Sequence, residues 1–259
     1  MLLKNRYSDY DRLARVYNKH WGKRFLPAAL AALEKLALCH IPEDAAILDL
    51  CCGTGQLAQA LTERSYRVTG LDGSKEMLNF ARKNAPGARF ILDDARTFTS
   101  PAAFHLVVSV FDSLNHVLLP GELAAVFSNV HAALLEGGLF LFDLNMEAGF
   151  KTNWNGFFGI VEKNLVCLVK NSYREKERIA KFEATVFRFE QQWQRSDVVL
   201  PEKCYTEAEV RSGLAAAGFV DARAYAYDGQ SVFKKLTGES ERAFFICRKK
   251  GQNIDIESF

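Results

Sequence analysis

The sequence has little of three features that define specialised classes of protein: excess charge of one sign, paired cysteines and long apolar runs. Its 33 Lys and Arg residues nearly balance its 31 Asp and Glu residues, which leaves a net charge of +2. That balance argues against a dedicated nucleic-acid-binding protein. No apolar run approaches the length of a membrane-spanning helix, and the first residues turn polar at once. We therefore expect no nucleic-acid partner, no membrane segment and no signal peptide.

The six cysteines are scattered, and no two of them have the C-x-x-C spacing that is typical of zinc sites. We therefore expect no metal site. Together with the polar N-terminus, the unpaired cysteines predict reduced thiols and a cytoplasmic protein. They stand at Cys39, Cys51, Cys52, Cys167, Cys204 and Cys247.

What the sequence does have is enough apolar material for one large domain. Of its 259 residues, 49% are hydrophobic. After some forty helical residues, short apolar strands alternate with helical segments over residues 46–144, and this alternation predicts a parallel sheet built from βαβ units. A helix over residues 120–135 is predicted to end at Gly137 and Gly138. The predicted fold class is α/β: a doubly wound, mostly parallel, Rossmann-like sheet.

The pattern changes at residue 146. Period-2 alternation over residues 160–169, 179–191 and 193–200 predicts an inserted antiparallel meander. A capping box from Thr206 to Glu209 then opens a helix, which two more strands follow over residues 220–227 and 242–249. We thus divide the chain into a cofactor-binding half (1–145), an inserted substrate-side subdomain (146–201), a closing helix and hairpin (202–250) and a tail (251–259).

The strongest local signal is a glycine-rich loop, Asp49-Leu-Cys-Cys-Gly-Thr-Gly55, between a predicted strand and a helix. Glycines there let the backbone turn sharply and let a ligand approach the main chain. The segment Gly53-Thr-Gly-Gln-Leu-Ala58 also fits a dinucleotide fingerprint, and Asp72 closes the next strand. An NAD-dependent oxidoreductase therefore remains an alternative.

Asp49 favours a different nucleotide. A carboxylate at the end of the first strand would repel a pyrophosphate, whereas a ligand with an ammonium and a sulfonium would be attracted. S-adenosylmethionine has both cations and no phosphate. Asp72 could accept hydrogen bonds from its ribose hydroxyls, because an ionised carboxylate only accepts. A carboxylate after the third strand, at Asp93 and Asp94, could accept from the adenine amino group.

These segments resemble class I S-adenosylmethionine-dependent methyltransferases. The resemblance covers residues 45–145 closely and the closing helix and strands loosely. Besides the segments already named, the ones that match the family are Gly70-Leu-Asp-Gly-Ser74, Phe104 to Ser109 and Leu135-Glu-Gly-Gly138. It implies a seven-stranded sheet whose last strand runs antiparallel. One departure is Cys51, which stands where the family usually has glycine.

The resemblance also implies a set of cofactor-binding residues. Asp49 and Gly53 would lie near the methionine end, Asp72 would hold the ribose, and Asp94 with Ala95 would hold adenine under a cover from Met77. A core role is an alternative for Met77, and Tyr7 and Tyr10 compete with Tyr17 for contact with the cofactor. The full predicted set is Tyr17, Asp49, Cys51, Gly53, Gly55, Asp72, Gly73, Met77, Asp94, Ala95 and Phe111.

The acceptor is expected to be a small molecule, either an amine or a hydroxyl compound, because the stretch from Asp112 to His116 and the meander resemble small-molecule N-methyltransferases. Methyl transfer is an in-line displacement that relies mainly on proximity. His116 is the first candidate for a general base and Asp112 the second. Structural roles remain open for both, as do a homodimer through the aromatic meander and a catalytically silent protein that only binds the cofactor.

Overall fold

The main sheet carries eight strands in the order β11-β10-β12-β5-β4-β1-β2-β3, in a computed structural model that describes residues 7–227 and 233–251. Strands β1 to β5 run parallel to one another, and β12 lies antiparallel between β5 and β10. The predicted fold class is confirmed. Its strands are β1 (Ala46–Leu50), β2 (Arg67–Asp72), β3 (Arg89–Leu92), β4 (Phe104–Ser109), β5 (Leu134–Asn145), β10 (Phe219–Tyr227), β11 (Phe233–Lys235) and β12 (Arg242–Lys249).

The count of strands differs from the predicted seven. The short strand β11 pairs antiparallel with Tyr225, Ala226 and Tyr227 of β10 and adds an eighth member at the sheet edge. Three residues are too few to give a periodic signal in the sequence. The predicted tail falls almost wholly on residues 252–259, which lie outside the described residues.

Helices cover both faces of the sheet because its central strands are apolar on both sides. On one face, Ile47 and Leu106 pack with the residues of α2 and α3. On the other, Leu48 and Val107 pack with α5 and α7. The helices are α1 (Ser8–His20), α2 (Leu26–Leu36), α3 (Gln56–Thr62), α4 (Lys75–Asn84), α5 (Pro120–Ala133), α6 (Glu147–Asn153) and α7 (Glu207–Ala216).

The predicted end of the fifth helix was wrong. Helix α5 ends at Ala133, and Gly137 and Gly138 lie inside β5. The pairing of β4 with β5 jumps from Phe104–Leu134 to Leu106–Leu139, so the extra residues of β5 form a bulge there. Gly137 has φ +74°, which a glycine adopts without strain. The glycine pair thus serves a bulge and not a helix cap.

The predicted meander is a four-stranded antiparallel sheet, in the order β6-β7-β8-β9. The predicted strand over residues 160–169 is in fact two strands, because a turn at Lys163 and Asn164 divides it, and helix α6 precedes the sheet. One face of this sheet packs on Leu13 and Val16 of α1. The strands are β6 (Gly156–Glu162), β7 (Leu165–Arg174), β8 (Ile179–Phe189) and β9 (Trp193–Lys203).

Helix α1 is therefore held between the two sheets, where it contacts α4 on one side and β9 on the other. This placement covers the carboxyl ends of the central parallel strands. No helix among the described residues is long and apolar enough to cross a membrane.

Candidate cofactor and acceptor site

A cavity of about 1410 Å³ lies at the carboxyl ends of the central strands, between α1, the inserted sheet and β12. This is the edge at which open α/β sheets bind their ligands. In the described part of the chain, no group of three or more His, Cys, Asp or Glu side chains is arranged to hold a metal ion. The predicted site residues that line the cavity are Tyr17, Cys51, Gly53, Asp72, Gly73, Met77, Asp94, Ala95, Phe111, Asp112 and His116.

The loop after β1 is tightly constrained. Cys51, Gly53 and Gly55 all have positive φ values, at 61°, 52° and 82°. A side chain on Gly55 would stand 2.9 Å from the Cα of Ala81 in α4, so only glycine fits there. Gly55 caps α3 and does not line the cavity. Cys51 occupies the left-handed region that favours glycine, which accounts for the glycine of the family at this position.

Asp72 joins the loop after β1 to the turn after β2. Its Oδ2 accepts a hydrogen bond from the Gly53 N–H at 2.8 Å, and its Oδ1 accepts one from the Ser74 N–H at 2.8 Å. Burial raises the pKa of this carboxyl to about 6, although the two backbone hydrogen bonds oppose the shift. Each oxygen keeps a second lone pair that can face the cavity.

The carboxylate of Asp94 is engaged by the protein itself. Arg96 donates to both of its oxygens and also contacts Glu122 at 2.8 Å. Tyr7 hydrogen-bonds to Asp94 as well, and its ring packs so closely on Gly73 that a Cβ there would lie 2.2 Å from it. Asp94 therefore lines the cavity with its carboxylate already paired with Arg96.

The three tyrosines that competed for contact with the cofactor all line the cavity, at different places. Tyr7 lies on Gly73, whereas Tyr17 lies over Gly53 and meets the ring of Phe111 with centroids 5.8 Å apart. Tyr10 packs edge-on against the ring of His116 at 5.5 Å. Tyr17 is thus the tyrosine nearest to the glycine loop.

Asp49 does not line the main cavity. It lies beside a small hollow of about 40 Å³ that shares Tyr17, Cys51 and Phe111 with the cavity wall. Asp49 is buried, and within the described residues its Oδ2 has no hydrogen-bond partner. Burial, with the charge of Asp72 as a second cause, raises its pKa to about 8. A carboxyl of this kind favours a cationic partner.

The far end of the cavity holds a polar network. Phe111 and Asp112 follow β4 with φ values of 68° and 51°, a strained backbone for two residues that are not glycine. Arg242 of β12 contacts both Asp112 and Asp143, and the Asn145 side-chain amide donates to Asp112 Oδ2 at 2.8 Å. Burial raises the pKa of Asp143 to about 6 against the opposing charge of Arg242.

His116 reaches the cavity wall, yet both of its ring nitrogens face protein oxygens. Nδ1 lies 3.1 Å from the Pro201 carbonyl oxygen, which can only accept, so we assign the proton to Nδ1. Nε2 lies 3.5 Å from Oε1 of Glu202. Burial lowers the pKa of His116. The ring is therefore oriented by the inserted sheet and not aimed freely at a substrate.

Glu202 was missed by the sequence reasoning. It is 2% exposed and lines the cavity, but the predicted meander stopped one residue earlier. The sequence signal that could have identified Glu202 is the alternation of apolar and polar residues along β9, which places Glu202 on the same buried face as Val198 and Leu200. A glutamate at a core position of a strand is a candidate for a functional role.

Comparison with known proteins agrees with the fold. Residues 47–138 match the family model described as a methyltransferase domain. YqeM of Bacillus subtilis (strain 168), named as a candidate methyltransferase, is 37% identical over 109 residues, which are 40% of this chain and 44% of that protein. The dTDP-3-amino-3,6-dideoxy-alpha-D-glucopyranose N,N-dimethyltransferase of Streptomyces fradiae is 33% identical over 135 residues, 51% of this chain and 53% of that protein.

Both alignments thus span about half of the length of the relative. The crystal structure of an S-adenosylmethionine-dependent methyltransferase from Clostridium acetobutylicum ATCC 824 superposes with a TM-score of 0.76 at 22% identity, covering 93% of this chain and 99% of that one. Residues 47–138 are thus similar to methyltransferase domains, and the chain has the fold of a class I S-adenosylmethionine-dependent methyltransferase.

Proposed function

We propose that this protein transfers a methyl group from S-adenosylmethionine to a small-molecule acceptor. The observation that carries the proposal is the hydrogen bond from the Gly53 N–H to Asp72. In a dinucleotide site, the amides of this loop bind a pyrophosphate. Here a carboxylate occupies one of them, so a pyrophosphate would meet a negative charge. This argues against the NAD-dependent alternative.

S-adenosylmethionine fits the groups that line this end of the cavity. Asp72 would hold the ribose hydroxyls, and the unpartnered Oδ2 of Asp49 suits the ammonium of the methionine part. Because Arg96 holds the carboxylate of Asp94, we expect adenine to rely on the Ala95 backbone and on Met77. Tyr17, Cys51, Gly53, Gly73 and Phe111 would complete the binding surface, with Gly55 shaping the loop.

The bound cofactor would supply an activated methyl group on a sulfonium. What this chain adds is alignment: Phe111 and Tyr17 would flank the methyl donor, and the polar network would place the acceptor in line with it. Asp112 and His116 are our candidates for acceptor-side residues. Both are held by neighbours, Asp112 by Arg242 and His116 by Pro201.

The acceptor end favours an amine over an anionic compound. Three carboxyl groups, on Asp112, Asp143 and Glu202, stand there beside the guanidinium of Arg242. An excess of carboxyls attracts a cation and disfavours a carboxylate. The name of the Streptomyces fradiae relative specifies an amino sugar, which is consistent with an amine acceptor. A neutral hydroxyl compound remains the second candidate.

A methyl-transfer assay tests the proposal. Purified protein is incubated with S-adenosylmethionine and a panel of small amines, amino sugars among them, and the formation of S-adenosylhomocysteine is measured. We expect turnover with at least one amine and a loss of it in Asp72→Ala. A protein that binds S-adenosylhomocysteine but yields no product with any amine or hydroxyl compound would support the catalytically silent alternative instead.

We further propose that two copies associate through the outer face of the inserted sheet. Phe157, Val161 and Leu168 share that face and are 81%, 77% and 51% exposed. Apolar side chains exposed together are typical of interaction sites. Sedimentation analysis should give a dimer that Leu168→Glu dissociates; a wild-type monomer at micromolar concentration would contradict this proposal. The cytoplasmic location stays a prediction.

A further inference from the structure

The acceptor end of the cavity contains one buried carboxyl that comes from the inserted sheet. Glu202 stands near the end of β9, and its neighbour Lys203 is tied to the main sheet because its carbonyl accepts from Asn115 Nδ2 at 2.9 Å. Asn115 also pairs with the backbone of Asn145 at the end of β5. The position of Glu202 relative to the parallel strands is therefore fixed by the fold.

Both carboxyl oxygens of Glu202 are oriented by neighbours. Oε1 faces His116 Nε2 at 3.5 Å, and Oε2 accepts from Asn145 Nδ2 at 3.3 Å. Because His116 Nδ1 donates to the Pro201 carbonyl, Nε2 has no proton and can only accept a hydrogen bond from the Glu202 carboxyl when that carboxyl is protonated; the imidazole does not itself face an acceptor. Each carboxyl oxygen keeps a lone pair for a further donor.

The charges around Glu202 come from every element packed there. Asp112 follows β4, Asp143 is in β5, Arg242 is in β12, and the ring of Tyr10 in α1 contacts His116. Burial, and next the charge of Asp112, raises the pKa of Glu202 well above its usual range. An ordinary carboxylate is too weak a base for an ammonium, whereas a carboxyl with a raised pKa is better matched to one.

We propose that Glu202 is the catalytic residue that binds the acceptor nitrogen and accepts its proton. This inference rests on the proposed function, and it replaces His116 as the base while keeping that ring as a positioning residue. An N–H proton of the bound ammonium passes to a Glu202 oxygen and leaves the lone pair on nitrogen. The lone pair then forms the new bond to the methyl carbon as the carbon–sulfur bond breaks, and that electron pair stays on sulfur.

Binding of a matched pair of probes tests this role without knowledge of the natural acceptor. The protein, labelled with nitrogen-15 and saturated with S-adenosylhomocysteine, is titrated with cyclohexylammonium and separately with cyclohexanol. The side-chain signals of Asn145 and His116 report binding. The variants are Glu202→Gln, which keeps the shape, and Glu183→Gln, a matched control in β8 whose nearest ion-pair partner is Lys170 at 4.0 Å.

We expect the amine to shift both signals saturably, with an affinity that rises with pH because Glu202 must ionise. Glu202→Gln should weaken binding of the amine by about tenfold or more and abolish the pH dependence of that binding, while Glu183→Gln should behave as wild type. Three results would overturn the inference: undiminished amine binding by Glu202→Gln, binding of the alcohol as tight as that of the amine, or no amine binding by the wild-type protein. Binding of S-adenosylhomocysteine by Glu202→Gln confirms that this variant is folded, whereas its absence in wild type would instead defeat the proposed function.

Discussion

The carboxylate of Asp72 accepts a hydrogen bond from the Gly53 N–H at 2.8 Å and so joins the ends of two neighbouring parallel strands. The same side chain accepts from the Ser74 N–H, which precedes α4. One residue thus shapes both loops that border the cofactor end of the cavity, and its charge decides which nucleotide the loops can accept.

We expect Asp72→Ala to weaken S-adenosylhomocysteine binding by about 10- to 100-fold, because a charged acceptor of hydrogen bonds is removed. Asp72→Asn should lose less of this affinity, since the carbonyl oxygen of the asparagine can still accept a hydrogen bond. Titration calorimetry measures both. Asp197→Ala, which removes an exposed aspartate of β9, serves as control. Equal affinities in all four proteins would refute the assigned role.

Asp49 gives a pH dependence of stability. Its pKa is raised from 3.8 to about 8 in the folded protein, so between these values the folded state holds a proton that the unfolded state has lost. The free energy of unfolding should therefore fall as pH rises from about 4 to about 8. In Asp49→Asn the decline should be shallower. Urea unfolding across this range checks it, and identical slopes would show that Asp49 is not protonated in the fold.

Cofactor binding should respond to pH in the opposite sense. An ammonium beside Asp49 favours the ionised carboxyl, so binding releases a proton while the pH is below about 8. The affinity for S-adenosylhomocysteine should then rise with pH up to that value and respond less in Asp49→Asn. Calorimetry in buffers of different ionisation enthalpy measures the released proton. A wild-type affinity that is independent of pH would place the ammonium elsewhere.

Asn115 is predicted to hold the acceptor end together. It is fully buried, and its amide satisfies the Asn145 N–H and the carbonyl of Lys203. Asn115→Leu should lower the free energy of unfolding by about 3 kcal/mol, because buried backbone groups lose their partners. Urea denaturation provides the value. Asn155→Leu, at an exposed asparagine that donates to the Lys151 carbonyl, should change the free energy of unfolding little; equal losses in the two variants would contradict the prediction.

The sequence predicted the parallel sheet, and most of the site residues that it named line the cavity, because both predictions depend on local signals. Strand ends that carry acids, such as Asp72, meet at one edge of any parallel sheet. The bulge at Gly137 could not be predicted from local signals, since a glycine that follows a helical pattern is equally typical of a helix cap. Its role depends on the register with Leu106 in another strand.

The acceptor end was harder to predict because its contacts join distant parts of the chain. Arg242 and Asp112 are 130 positions apart, and their ion pair only becomes evident in the structure. His116 and Glu202 are 86 positions apart and meet only because the inserted sheet folds back over β4. The residue type alone made His116 a candidate for the general base. The structure shows that the ring of His116 contacts Glu202.

The most direct test of the central claim is calorimetric titration of the wild-type protein with S-adenosylhomocysteine and, separately, with NADH. We predict saturable binding of S-adenosylhomocysteine with one site per chain and no measurable binding of NADH, because Asp72 occupies the loop amide that a pyrophosphate would need. Binding of NADH without binding of S-adenosylhomocysteine would contradict this account.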